Sequence, residues 1–439
     1  MSTTEPAAAG SEPALAVAAG DTAERGASPY AGRSHAELAE LARELLLARH
    51  LIDRSGMPHL ISRFGRDGMR DIAIDEWMAA SPIYTKRMQR LLGFEGDTVE
   101  TIFKGMQLDV GSPPEFMDLR YVVHGDTHGE FRLDHCGALM DVEPMGDDYV
   151  QVMCHDIEDL TFDATATASN PRAKVRPIHR PPRVPADRVP HCAWTVTIVE
   201  DAEPFPYPAQ AEQLSTSNAA HLPLASAPDD LSKVDGWTDY AANLDPGLVM
   251  EQFSSAPLAR LMDEVCLQGH LLSRGLLLHV AERSSGEEAA EIGAKQLCGI
   301  AGLTTKRLSA LLGAGPDLDG IAAVLDVHPM FLPRPYAEVA IDRDDDGLTW
   351  PAVLVHGSDG GLRSAVQCLA PQGQVERIDP VGGAAASWRI WIDPDAEPAQ
   401  QADEVTLTEF STGAGFHFER RGDRGRQRGV GHAPVSSGR

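Results

Sequence analysis

Apolar residues recur at helical spacing from Ser34 onward, and the pattern predicts a helical lead-in. Ser34-His35-Ala36-Glu37 has the form of a capping box, and the run ELAELARELLLARHLI that follows keeps its aliphatics on one side. A second helix is expected from Asp67 to Ala80. Ser81-Pro82 reads as an N-cap with proline at the first helical position, opening IYTKRMQRLLG, which Gly93 closes. A further helix starts at Asp97 and runs to about Leu108. The period then changes to two: LRYVV and EFRLDH read as strands joined by the hairpin loop His124 to Gly129. YVQVMCHDIEDL returns to helical spacing, and AKVRPIH and AWTVTIV read as two more strands around a proline-rich loop.

The second half repeats the first. Residues 41–93 align with 261–313 at a constant offset of 220, without gaps. Glu44 pairs with Glu264, His50-Leu51 with His270-Leu271, Arg54 with Arg274 and His59 with His279. Thr85-Lys86-Arg87 meets Thr305-Lys306-Arg307, and Leu91-Leu92-Gly93 meets Leu311-Leu312-Gly313. With small slips, Leu108-Asp109-Val110 matches Leu325-Asp326-Val327, Phe116 and Tyr121 match Phe331 and Tyr336, and Trp194 matches Trp388. The expected fold is therefore α/β (α+β): two tandem, diverged copies of a helical lead-in followed by a small, mostly antiparallel sheet, packed as an internal pseudo-dimer. Boundaries follow from texture. Residues 1–33 read as a disordered leader, 34–200 as the first module and 201–240 as a linker. Residues 241–418 read as a degenerate second module, with EVTLTEF and FHFE as closing β segments, and 419–439 as a disordered Arg/Gly-rich tail. Cys368 is the expected counterpart of Cys154, and His356 the other relic of the first copy's cluster.

Composition narrows the class. The chain has 439 residues, 43 % hydrophobic and 23 % charged, ordinary values for a globular protein. A net charge of −27 argues against a nucleic-acid partner, which needs a basic face. No signal-like leader or membrane-spanning apolar run is visible, and six widely spaced cysteines do not form a disulfide framework. A cytoplasmic protein with reduced thiols, no membrane partner and a small-molecule substrate is expected; a homo-oligomer stays open.

Candidate chemistry concentrates between Phe131 and Thr197. Cys136, Cys154 and Cys192 each have a histidine beside them (His135, His155 and His191), and Asp156, Glu158 and Asp159 follow the middle pair. Thiolate and imidazole bind borderline metals, so zinc held by Cys136, Cys154, Cys192 and His155 is one reading. Asp156, Glu158 or His155 would then serve catalysis around a metal-bound water. A cysteine nucleophile activated by a histidine from another element, such as His179 or His191, is a second. Arg176, His179 and Arg180 on the basic hairpin are the candidate contacts for an acidic substrate. His50 and His59 persist in both copies, including the one without the cysteine cluster, which favours a structural role.

A strand ending in Cys136, then Met153-Cys154-His155-Asp156, then a hairpin ending in His191-Cys192-Ala193-Trp194 resembles the L-2-amino-thiazoline-4-carboxylic acid hydrolase family. The resemblance covers about residues 40–200, with a weaker echo in the second half, and departs at Gly137, where that family tends to have proline. It implies a hydrolase-type fold with a thiol-lined pocket. The expected function is a metal- or thiol-dependent hydrolase acting on a C–N or C–S bond of a small acidic metabolite. The alternative is a non-catalytic small-molecule-binding or accessory protein with a structural zinc in the first module.

Overall fold

The computed structural model describes residues 28–231, 233–337, 342–344, 347–352, 359–381 and 386–418. Most of the leader, the arginine-rich tail and His356 lie outside the described residues. At the first helix the local code reads true. The Ser34 side chain accepts the Glu37 N–H and Glu37 returns a bond to the Ser34 N–H, opening α1 (His35–Leu92). This 58-residue rod breaks at Gly65, whose φ of 71° and ψ of 178° suit glycine almost alone. Pro82, expected to start a helix, lies inside α1 instead, and the buried Ser81 hydroxyl has no hydrogen-bond partner and caps nothing. Gly93 ends α1 in the left-handed region, and Thr98, one residue past the expected start, caps α2 (Val99–Met106).

The sheet of the first module is built from two hairpin-like pairs. β1 (Met117–Gly125) and β2 (His128–Cys136) pair antiparallel across the Asp126-Thr127 turn. The chain then leaves the sheet through α3 (Gly137–Val142), α4 (Asp147–Gln151), a π-helical turn over Val152–Ile157, and α5 (Glu158–Ala166). It returns as β3 (Ala173–His179) and β4 (Cys192–Ile198), with β4 inserted beside β2 to give the order β1-β2-β4-β3. Alternation sends Phe131, Leu133, Val175, Trp194 and Val196 to one buried face. Phe131 stacks on Trp194 and Phe162 of α5 meets the indole edge-on, 5.0 Å between centroids, which fastens the crossover helix to the sheet.

Residues 201–240 connect the modules while packed along the helical layer, through α6 (Ala209–Leu214) and α7 (Asn218–His221). Arg87 Nη1 donates to the Leu222 carbonyl at 2.6 Å, and Tyr240 donates to Gln107 at 2.7 Å. At the other end, Tyr30 in the expected leader is buried and donates to Asp263 at 2.7 Å.

The second module repeats the plan. α8 (Ser255–Arg283) and α9 (Gly286–Leu312) correspond to the two halves of α1, parted near Ser285 where the first copy has Gly65. α10 (Leu318–Asp326) and α11 (Arg334–Ala337) precede β5 (Asp342–Asp344) and β6 (Gly347–Ala352). α12 (Asp359–Leu369) then leads to β7 (Gly373–Ile378) and β8 (Ala386–Ile392), in the matching order β5-β6-β8-β7. Trp388 occupies the third position of β8 as Trp194 does in β4.

Several finer correspondences fail. Cys368 sits in α12 about one turn before β7, whereas all of α5 separates Cys154 from β3, so the two are not equivalent. Tyr121 is in β1 but Tyr336 in α11. EVTLTEF, with its strand-like alternation, contributes α13 (Asp403–Thr408) instead, because Val405 and Thr408, three apart, both turn inward. The Phe416 ring packs 5.2 Å from Phe116 without joining a strand.

The two copies face each other across an isologous interface. Arg87 clasps Glu264 with two bonds of 2.9 and 2.7 Å, and Arg307 clasps Glu44 with two of 2.8 and 2.9 Å. Both pairs follow from the 220-residue offset, residue i meeting j and j meeting i, as a two-fold axis demands.

Candidate functional site

Cys136 ends β2 and caps α3, its sulfur accepting the Leu139 N–H at 3.3 Å. Cys192 opens β4 opposite Leu133 of β2, and Cys154 lies in the π-helical turn, a distortion frequent at functional positions. All three are buried free thiols close enough to Glu158 for its charge to act on each. Burial pushes Cys136 up to about 12 and holds the other two well above the usual thiol range, Glu158 adding to the effect. They are thiols, not thiolates, at neutral pH.

The spacing does not suit zinc. Bonds of about 2.3 Å in a tetrahedron bring sulfurs to about 3.8 Å from one another. Among the described residues, the one set of three or more metal-binding side chains with all ligand atoms within 4.8 Å is His124, His128 and Glu130. The adjoining imidazoles have main-chain partners. His135 Nδ1 donates to the Phe116 carbonyl at 2.9 Å and His155 Nε2 to Pro181 at 2.7 Å. His191 Nδ1 accepts the Cys136 N–H at 3.2 Å, with burial first and Arg183 second lowering its pKa to about 4.

The other expected residues divide between a wall and a rim. Asp156, partly exposed, accepts from Gln151 at 3.2 Å and lies 3.7 Å from Arg70 of α1. Arg176 is paired with Asp163 at 2.9 Å, Arg180 with Asp159 at 2.5 Å and neighbouring Arg183 with Glu143 at 2.6 Å. His179 has its pKa lowered, chiefly by desolvation and then by Arg188. Gly137 has a steric reason: a Cβ there would stand 2.0 Å from the Phe116 ring, which bars proline as well as alanine.

Glu158 alone of these lines the cavity between α1, α5 and the sheet, a space of about 100 Å³. Met57, Met117, Leu133, Met153, Ile157 and Phe162 form its apolar wall. Its ionisable lining is His50, Asp53, Arg54, Tyr84, Asp109 and Glu158. Arg54 bridges Asp53 at 3.0 Å and Asp141 at 3.3 Å. Asp109 accepts from Tyr84 at 2.8 Å and from the Gly111 N–H at 2.7 Å, while burial raises it to about 6. Burial raises Glu158 further, to about 8, against the opposing pull of Arg180. Behind the lining, Glu76 is fully buried with both carboxylate oxygens unpartnered, and desolvation together with Asp53 holds its pKa well above the usual range.

His50 has two faces. Its Nδ1 donates to the Val110 carbonyl at 2.9 Å, a structural bond of the kind its repetition suggests, and His270 donates to the Leu332 carbonyl through its other nitrogen, Nε2, at 2.8 Å. Its Nε2, with no partner and with burial lowering the ring to about 3, keeps a bare lone pair. Sequence reading passed over His50, Asp53, Arg54, Tyr84 and Asp109 as site residues. The available signal was the repeat itself: Asp53 and Glu76 stand where the second copy has Ser273 and Gln296, and Tyr84 where it has Thr304. No family model, curated protein or solved structure matches the chain.

Proposed function

We propose that the first module holds a small molecule in the cavity beside Glu158 and transfers protons to it. One observation carries this reading. At Asp53 and Glu76 the first copy keeps buried carboxyls where the second copy, on the same framework, has Ser273 and Gln296. A buried carboxyl without full partners costs stability, on the order of 1–3 kcal/mol or more, and the second copy shows that the helices pack without it. Groups retained at such a cost belong to a site.

The chemistry that suits the cavity is hydrolysis of a small C–N or C–S bond. Glu158, protonated at neutral pH, can donate to a leaving group, and the His50 Nε2 lone pair, too weakly basic to hold a proton, can accept a hydrogen bond that orients the substrate or the attacking water. The buried thiols of Cys136, Cys154 and Cys192 support Glu158 by adding apolar bulk and no charge of their own. Substrate recognition falls to Asp109 and the His50 Nε2 within the cavity, since Arg54, Arg176 and Arg180 already have acidic partners. No helix among the described residues is long and apolar enough to cross a membrane. A reducing, cytoplasmic setting suits six unpaired cysteines.

The test is a panel of small amides, thioesters and thiazoline acids, read by turnover and thermal shift on three proteins. The wild type should turn over a hit. Glu158→Gln should bind the same compound but lose at least about a hundredfold in kcat, the usual contribution of a general acid. Met153→Trp, which fills the cavity, should lose binding. Equal binding and turnover in all three would remove the cavity from the function.

A further inference from the structure

The β1–β2 hairpin carries a second constellation, on the opposite face of the sheet from the cavity. His128 and Glu130 are two residues apart on β2 and so share a face, and His124 reaches the same face from the irregular end of β1. The ligand atoms of the three all lie within 4.8 Å of one another. His124 Nε2 is 3.7 Å from Glu130 Oε1, and the two imidazole rings are 4.9 Å apart at their centroids.

The tip that carries them is held in place. The Asp126 carbonyl accepts the Val99 N–H of α2, and the Thr127 carbonyl accepts the Ile198 N–H of β4, both at 2.8 Å. Gly129, between the two β2 ligands, lies so close to α2 that a Cβ would stand 2.8 Å from Phe103 and Val99. His128 Nε2 is 3.2 Å from Thr195 Oγ1 on β4, a contact that orients the ring. The side chains of His124 and Glu130 are 44 % and 45 % exposed, so water can complete a coordination sphere. In the second copy the corresponding segment, Asp342 to Ala352, contains no histidine.

We propose that His124, His128 and Glu130 bind one divalent transition-metal ion of the zinc, nickel or copper class. Two imidazoles and one carboxylate are a borderline donor set, suited to these ions rather than to magnesium or calcium, which prefer oxygen alone. Three protein ligands leave at least one position for water or an incoming donor. The site is independent of the buried thiols and of the cavity reading.

Cobalt(II) titration of the untagged, metal-free full chain tests it, followed by displacement with zinc. The expected result is one cobalt per chain with visible d–d absorption and no near-ultraviolet sulfur-to-cobalt charge transfer. His124→Ala, His128→Ala and Glu130→Gln should each weaken binding by at least about tenfold, with unchanged circular dichroism, while Cys136→Ser binds as the wild type does. Absence of cobalt binding, undiminished affinity in His128→Ala, or a sulfur band that Cys136→Ser removes would each overturn the assignment.

Discussion

Glu158 is raised by burial from the ordinary 4.5 to about 8, so the native state keeps a proton that the unfolded chain gives up between those values. Asp109, raised to about 6, adds the same effect over the lower part of that range. Stability linked to Glu158 is fully present below about pH 4.5 and lost as pH climbs to about 8, and that linked to Asp109 is fully present below about pH 3.8 and lost by about pH 6. Between pH 5 and pH 8 the thermal midpoint of the wild type should therefore fall relative to that of Glu158→Gln, as calorimetric melts of both would show; His50 and His191, held neutral in the fold, act in the opposite sense up to about pH 6.5 and do so in both proteins. A difference that stays level, or moves in favour of the wild type as pH rises, would contradict the burial of Glu158. At this scale the sequence exposed the cysteines and Glu158 through their crowding along the chain. It hid the opposite wall, because His50, Asp53 and Arg54 come from α1 and Asp109 from a loop, and only folding brings them to Glu158.

At the scale of elements, strong local signals held and ambiguous ones failed for identifiable reasons. The capping box at Ser34 formed because it satisfies its own backbone groups locally, and the hairpin around Asp126-Thr127 because a turn between two alternating segments pairs them antiparallel. Ser81-Pro82 has the composition of a helix start, yet helix continuity there is decided by packing on α8 and α9, which outweighs the lost N–H bond and ring clash of an interior proline, together about 3 kcal/mol. The alternation in EVTLTEF lost to burial of Val405 and Thr408 against the helical layer. The true break in α1 is Gly65, whose backbone leaves no comfortable place for a Cβ-bearing residue, although nothing lies within 4 Å of a Cβ there. Gly65→Ala should thus cost about 1–3 kcal/mol from backbone strain alone, measured by urea unfolding. A neutral or stabilising result would show that the break moves to another residue at no expense.

The whole molecule is organised by its internal two-fold relation, and this was legible because a gap-free offset of 220 residues preserves both partners of each cross-module pair. What the offset could not show is how far the sheets had drifted, since insertions around the strands shift their register between copies. The clasps Arg87–Glu264 and Arg307–Glu44 should hold the halves together as equivalents. Glu264→Ala leaves Arg87 largely buried without its carboxylate and should cost about 3–5 kcal/mol, whereas Arg87→Met with Glu264→Leu should restore most of it. Denaturant melts of the single and double variants decide this, and additive losses would argue against a coupled pair. Symmetry of scaffold with asymmetry of acids at Asp53 and Glu76, and Glu158 lining the same cavity as Asp53, leads to one central claim: the first copy bears destabilising carboxyls for the sake of its cavity. The direct measurement is the unfolding free energy of Glu158→Gln beside the wild type at about pH 7.5. A gain of about 1–3 kcal/mol is expected, the linkage value discounted for partial solvent access; an unchanged or lower free energy would mean that Glu158 serves the fold and not a site.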